Sequence, residues 1–179
     1  EKIWSLYDID PQAENITQRD TIVSMPKGNI AITNPPYLGK SSAKRLKLDW
    51  YEDNIYDDLY KLSLDRMLDN FNYVAAIVPE SFITSGEFRD RLEIVVSLTT
   101  IMFEDTDCPV CLALFSPSHS PDYEIWSMNT FLGYNSDMEK LKIDSRVNIH
   151  MKFNDPNGRL GLRAIDSTIP SISFVLGNT

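Results

Sequence analysis

The sequence predicts an α/β domain whose sheet is mainly parallel, with an antiparallel hairpin at one edge, and three patterns lead there. Short runs of β-branched and aromatic residues bounded by turn residues recur near 4–9, 29–33, 73–78, 99–104, 110–116 and 123–127. A helical periodicity separates the second run from the third. Strands that alternate with helices favour parallel neighbours, because a parallel pair needs a long crossover.

In chain order, Trp4-Ser5-Leu6-Tyr7-Asp8-Ile9 reads as a strand that ends in acids and a proline, Asp10-Pro11. Asn29-Ile30-Ala31-Ile32-Thr33 is a second strand, stopped by Pro35-Pro36. Over 55–71 the apolar residues Ile55, Leu59, Leu62, Met67, Leu68 and Phe71 recur at spacings of three to five, which predicts a helix. Asp57 and Asp58 are expected in the first turn of that helix, where its dipole favours negative charge. A strand at 73–78 follows, then a shorter helix around 86–96. The runs 99–104 and 110–116, joined by a tight loop, predict the antiparallel hairpin. From about 138 the pattern loosens into Asn154-Asp155-Pro156-Asn157-Gly158, a strong turn signal. The expected division is therefore a main domain over 1–137 and, over 138–179, the start of a second region or a C-terminal extension.

Composition narrows the class. A chain of 179 residues suffices for one core, and it holds neither an apolar run of membrane-spanning length nor a signal-peptide core at its start. A cytoplasmic protein without a membrane partner is expected. The net charge of −9 argues mildly against a nucleic-acid partner, since phosphate contacts need Lys and Arg. Its distribution matters more, because Lys40, Lys44, Arg45 and Lys47 form a basic run while acids crowd 49–58. That run reads either as a solvated loop or as a grip on phosphates. Cys108-Pro109-Val110-Cys111 has the spacing of a redox or zinc pair. No second pair completes it, His119 and His150 stand alone, and Cys111 opens an apolar run, so buried thiols and no metal are expected. Gly39-Lys40-Ser41 is not a phosphate loop, since Asn34 stands where such a loop needs its first glycine.

The chemistry is concentrated in Asn34-Pro35-Pro36-Tyr37. The two rings hold φ near about −65° and remove two backbone donors, leaving a turn rich in acceptors. The Asn34 amide oxygen and the Pro35 backbone carbonyl can both face one NH2 group, which offers two donors to match. Tyr37 supplies a face on which a flat base stacks, a contact of about 1–3 kcal/mol. Upstream, Asp8 stands where nucleotide-binding α/β folds grip a ribose. Asp20 opens Asp20-Thr21-Ile22-Val23, where a carboxylate or its neighbouring backbone can accept from an adenine amine.

These features together resemble the S-adenosylmethionine-dependent DNA adenine-N6 methyltransferases, over most of the chain. Asn34 to Tyr37 matches the family's catalytic tetrapeptide. Asp8 with Ile9 and Asp20 with Thr21 match its cofactor-binding segments. Ala75 to Phe82, followed by Phe88-Arg89-Asp90-Arg91-Leu92, is similar to its fifth strand and following helix. Phe103-Glu104-Asp105-Thr106 and Val110 to Phe115 are similar to its closing hairpin. The order resembles the γ-type arrangement found in type II restriction-modification enzymes. It implies a Rossmann-like sheet, S-adenosylmethionine as cofactor, duplex DNA with a flipped adenine as substrate, and a restriction or specificity subunit as a possible partner. It also implies that 1–137 is the catalytic domain, present in part, and that 138–179 opens a DNA-recognition region or a C-terminal extension, while Lys40, Lys44 and Arg45 of the basic run stay candidates for DNA-phosphate contacts. The family's Gly-rich turn before the first acid has no counterpart here, which predicts that the chain is the interior of a longer protein. Two other functions share the residues: methylation of a protein glutamine amide at N5, and a noncatalytic module that binds nucleic acid or a partner.

Overall fold

The computed structural model describes residues 4–48, 51, 54–100, 102–103, 108–142, 155–165 and 171–176. Its main sheet holds six strands: β3 (Gly28–Thr33), β4 (Phe71–Pro79), β5 (Leu92–Leu98), β6 (Val110–Phe115), β7 (Glu124–Ser127) and β8 (Thr130–Tyr134), in the order β3-β4-β6-β5-β7-β8. β3 pairs parallel with β4 and β5 parallel with β7, whereas β6 runs antiparallel to both β4 and β5, and β8 antiparallel to β7. Four strands therefore share one direction, and the expected Rossmann-like α/β class holds. Two short strands, β1 (Leu6–Asp8) and β2 (Ile16–Gln18), form a separate parallel pair. Of the helices, α1 spans Lys40–Leu46 and α2 Leu59–Asn70, while α3 is one turn at Phe82–Ser85 and α4 runs Asn135–Leu141.

Helix α2 builds the core. Its start is set by Asp58, whose carboxylate accepts from the Tyr60 amide, so the helix begins four residues later than the apolar pattern suggests. Asp58 is the cap and Asp57 precedes it, and Ile55, 86% exposed, is not on the buried stripe. Tyr60, Leu64 and Met67 pack on Val74, Ala76 and Val78, the alternate residues of β4 that face them. The helix runs straight into β4 at Phe71. Arg91 locks that junction by donating to the carbonyls of Leu68, Phe71 and Asn72, and it ties in Ser116 O at 2.8 Å. Three of the last carbonyls around the helix end thereby gain a charged donor.

Several expectations need correction. The helix expected over 86–96 is a single 3-10 turn at Arg89–Arg91 followed by strand β5. Ile94, Val95 and Val96 are β-branched, and burial of Leu92 and Val95 decides for extended backbone over weak helical spacing. The strand expected at 99–104 is displaced to Leu92–Leu98, since the described residues 99–100 and 102–103 are not strand and Glu104, Asp105 and Thr106 lie outside the described residues. β6 does pair antiparallel with its predecessor, but it lies inside the sheet, and the edge hairpin is β7–β8. The basic segment expected as a loop is helix α1. Asn154 lies outside the described residues, while the turn it predicts closes through a Gly158 amide to Asp155 carbonyl bond of 2.9 Å. Beyond that turn, β9 (Leu160–Ile165) and β10 (Ser171–Leu176) form a two-stranded antiparallel hairpin. Helix α4 runs across residue 137 and is held to the sheet domain by an Arg89–Glu139 ion pair at 3.0 Å. Among the described residues no helix is long and apolar enough to cross a membrane.

Candidate active site

The carboxyl ends of β1, β2 and β3 carry the acids and the tetrapeptide singled out by the sequence, and these line one groove of about 1440 Å³. Asp8 is the last residue of β1, and the Arg19 amide donates to its backbone carbonyl at 2.7 Å, joining the two strand ends. Its Oδ1 accepts from the Asp10 amide at 2.8 Å, which fixes the carboxylate by a local turn. Asp8 and Ile9 border the groove.

Asp20 and Thr21 line the same space. The Asp20 carboxylate is well held: Oδ1 accepts from the amides of Ile22 and Val23 at 2.8 and 3.1 Å, and Oδ2 accepts from the Tyr51 hydroxyl at 2.9 Å. An incoming amine would therefore share Oδ2 with Tyr51. Burial, followed by that bond to Asp20, pushes the Tyr51 phenol up to about 12, so it stays protonated as a donor. Ile22 anchors the loop by packing on Leu59 and Leu62 of α2, and Arg66 donates to its carbonyl.

At the other end, β3 stops at Thr33 and the turn Asn34-Pro35-Pro36-Tyr37 begins. Pro35 is buried, whereas Asn34 and Pro36 are exposed. Leu38 and Lys40, just past the turn, are clamped to the start of α2. The Leu38 amide donates to Asp58 Oδ1 at 3.1 Å, the Leu59 amide to Leu38 O at 3.0 Å, and the Lys40 amide to Asp57 O at 2.8 Å. Tyr37 is half-buried, its ring edge-on to Tyr60 and Phe103 with centroids 6.3 and 6.2 Å away. Its hydroxyl lies 2.8 Å from both Asn34 Oδ1 and the Ile77 carbonyl. Burial raises its pKa well above the ordinary phenol range. The tyrosine is thus tied into the wall by its hydroxyl as well as presenting a ring to the groove.

Lys40 and Lys44 line a second groove of about 700 Å³, between α1 and the start of α2, and Arg45 lies on the same helix. The structure does not bring them into the first groove. Asp57, Asp58 and Lys61 share their space, with Lys61 held by Asp57 at 2.7 Å and Glu87 at 2.9 Å. Cys108 borders the main groove, while Cys111 is buried in β6 and its thiol is pushed up to about 12 by burial, then by Glu80. Such a thiol is a packing residue.

Sequence reasoning missed three residues of the groove. Tyr51 carries no local signal, because only the fold brings it to Asp20. Arg19 adjoins Asp20, and its guanidinium is held by Ser24 O and Ser24 Oγ at 2.7 and 2.9 Å and stacks 5.2 Å over the Tyr7 ring. Tyr7 also faces the groove.

No family of known sequences matches the chain. No curated protein matches it either. Among solved structures it is similar to a Listeria monocytogenes protein described as a class I S-adenosylmethionine-dependent methyltransferase, at 10% identity and a TM-score of 0.40, with 58% of this chain and 38% of that one covered. It is similar to a modification subunit described for a type I restriction enzyme of Vibrio vulnificus YJ016, at 19% identity and a TM-score of 0.43, covering 62% and 29%. The EcoKI type I modification protein gives 16% identity and a TM-score of 0.46, covering 62% and 28%. The chain thus spans well under half the length of each. Its function rests on the groove's own residues.

Proposed function

We propose that this chain carries the catalytic part of an S-adenosylmethionine-dependent methyltransferase that acts on adenine N6 in DNA. The observation that supports it is the convergence of Asp8, Asp20 and Asn34 to Tyr37 on one groove where β1, β2 and β3 end. Ligands of open α/β sheets sit in that position. The groove exceeds the roughly 300–1,000 Å³ of a single small-molecule site, which leaves room for a nucleoside cofactor and a planar target together.

The donor set fits the cofactor. Asp8 Oδ2 would accept from ribose hydroxyls, Asp20 Oδ2 and the backbone at Thr21 would meet its adenine, and Ile9 would pack beside the sugar. When bound, S-adenosylmethionine supplies an electrophilic methyl group on a sulfonium. Asn34 and the Pro35 carbonyl would accept the two protons of the target amine, drawing its lone pair out of conjugation and aiming it into the groove. Tyr37 and Phe103 would exclude water from one side. Orientation accounts for most of the rate, and no strong base is needed, because the amine turns acidic only once methylated. A base in duplex DNA would have to be flipped out at a cost of a few kcal/mol, offset by stacking and the two acceptors. Lys40, Lys44 and Arg45 on α1, directly after the catalytic turn, would hold phosphates beside it. Target recognition would fall to the region after α4 or to a specificity subunit.

Methyl transfer from labelled S-adenosylmethionine to duplex DNA, with nucleosides separated after digestion, tests this. N6-methyladenine is the expected product. Label in protein glutamine, or no transfer to DNA by a protein that binds the cofactor, would contradict it.

A further inference from the structure

The Tyr37 hydroxyl oxygen lies 2.8 Å from two oxygens, Asn34 Oδ1 and the Ile77 carbonyl. A phenol carries one proton, so it donates to one of them and would leave the other oxygen pair in contact with no hydrogen between. The Ile77 carbonyl belongs to β4 and can only accept. The Asn34 side chain has a choice. A half-turn about Cβ–Cγ exchanges its oxygen and its NH2 group with almost no change of shape. After that half-turn Nδ2 donates to Tyr37, Tyr37 donates to Ile77, and all three groups are satisfied. The same half-turn moves Oδ1 to the side away from the phenol and leaves it free to accept from a group in the groove that Asn34 lines.

We propose that the Tyr37 hydroxyl is a positioning group, which fixes the Asn34 amide with its oxygen toward the groove by accepting from Nδ2 and donating to Ile77 O. The consequence is selectivity for an NH2 target. With the amide so fixed, the groove shows a pure acceptor, and an exocyclic amine meets it donor to acceptor. The opposite orientation would set NH2 against NH2 and favour a carbonyl-bearing base instead. Phe would stack as well as Tyr in this place, so the hydroxyl's contribution is separable from the ring's. The effect on turnover rests on the methyl-transfer reading of the groove, whereas the hydrogen bond itself does not.

Nuclear magnetic resonance of the full chain tests the hydrogen bond. The Asn34 side-chain NH2 protons should show a nuclear Overhauser effect to the Tyr37 ring, and one of them should exchange with solvent more slowly than those of the exposed Asn15. An Asn34 NH2 group remote from that ring and exchanging as fast as Asn15 would overturn the proposal. Tyr37→Phe should abolish the slow exchange. In methyl transfer, Tyr37→Phe should lower kcat by about three- to tenfold with the cofactor KM unchanged, since only the competent fraction of amide falls. In an Asn34→Asp background, where both oxygens accept and no orientation is left to select, the same change should shift kcat by less than about twofold. Equal losses in both backgrounds would overturn the positioning role. If the unaltered protein transfers no methyl group to any amine, the functional reading fails while the resonance experiment still decides the hydrogen bond.

Discussion

The two walls of the groove are built differently. The Asn34–Tyr37 turn belongs to the main core: Pro35 is buried, Tyr37 packs on Tyr60, and three backbone or capping bonds seat Leu38 and Lys40 on the start of α2. The opposite wall is the two-stranded β1–β2 sheet with the Asp20 loop, where Leu6 and Ile9 are exposed and, among the described residues, Ile22 alone is buried. A two-stranded sheet is marginal by itself. It is moored by Ile22 on α2, by Arg66, and by the Tyr51–Asp20 bond. On the proposed reading, chemistry would be held by the firmly packed wall and cofactor recognition by the loosely built one. Changes in the turn should act on turnover, and changes in the acid wall on affinity.

The largest expected effect tests the firmly packed wall. Asn34→Ala should lower turnover by roughly two orders of magnitude or more, the cost of removing one oriented polar group from a transition state, with cofactor affinity unchanged by calorimetry. A parallel loss of affinity would erase the distinction between the walls.

The flank of the firmly packed wall comes next. Replacing Lys40, Lys44 and Arg45 together with Ala should weaken DNA binding about a hundredfold at physiological salt, equally for cognate and unrelated duplexes. The dependence of log K on log salt should flatten by about 0.9 for each phosphate no longer held. An unchanged slope would make α1 a solvated helix.

On the acid wall, Asp8→Ala should weaken cofactor binding about tenfold to a hundredfold, from the loss of charge-assisted bonds of roughly 1.5–3 kcal/mol. Asp10→Ala should do less, because β1 ends at Asp8 and the groove takes in Asp8 and Ile9. The reverse ranking, in the same titration, would move the ribose site to Asp10.

The smallest effect sharpens the comparison most. Tyr51→Phe removes one neutral donor from Asp20 and should raise the cofactor dissociation constant by about three- to tenfold while kcat holds. Because the phenol titrates near 12, this difference should be flat from about pH 6 to 9. A drop in kcat at saturating cofactor would show that the mooring reaches the catalytic turn.

Legibility in the sequence follows the same division. β3, β4 and β6 announce themselves by β-branched or alternating apolar runs, and the turn and acids by local motifs at strand ends. β2 is three residues, Ile16–Gln18, too short for any period to register. β5 is hidden because Phe88, Leu92 and Val95 also recur at helical spacing, and only the pairing of Val95 with Ala113 and Ile125 settles it. Lys40 to Leu46 carries no apolar stripe and reads as loop, although Gly39 and the Ala43 packing allow a helix. Tyr51 and the Ile77 carbonyl reach the site only through tertiary structure, which no local pattern encodes.

The most direct test is a crystal structure of the protein with S-adenosylhomocysteine. The ribose hydroxyls should bond the Asp8 carboxylate, the adenine should reach Asp20 and Thr21, and the sulfur should face Asn34 across the groove. A nucleoside bound outside this groove, or one whose sulfur points away from Asn34, would contradict the claim that these two walls form one methyl-transfer site.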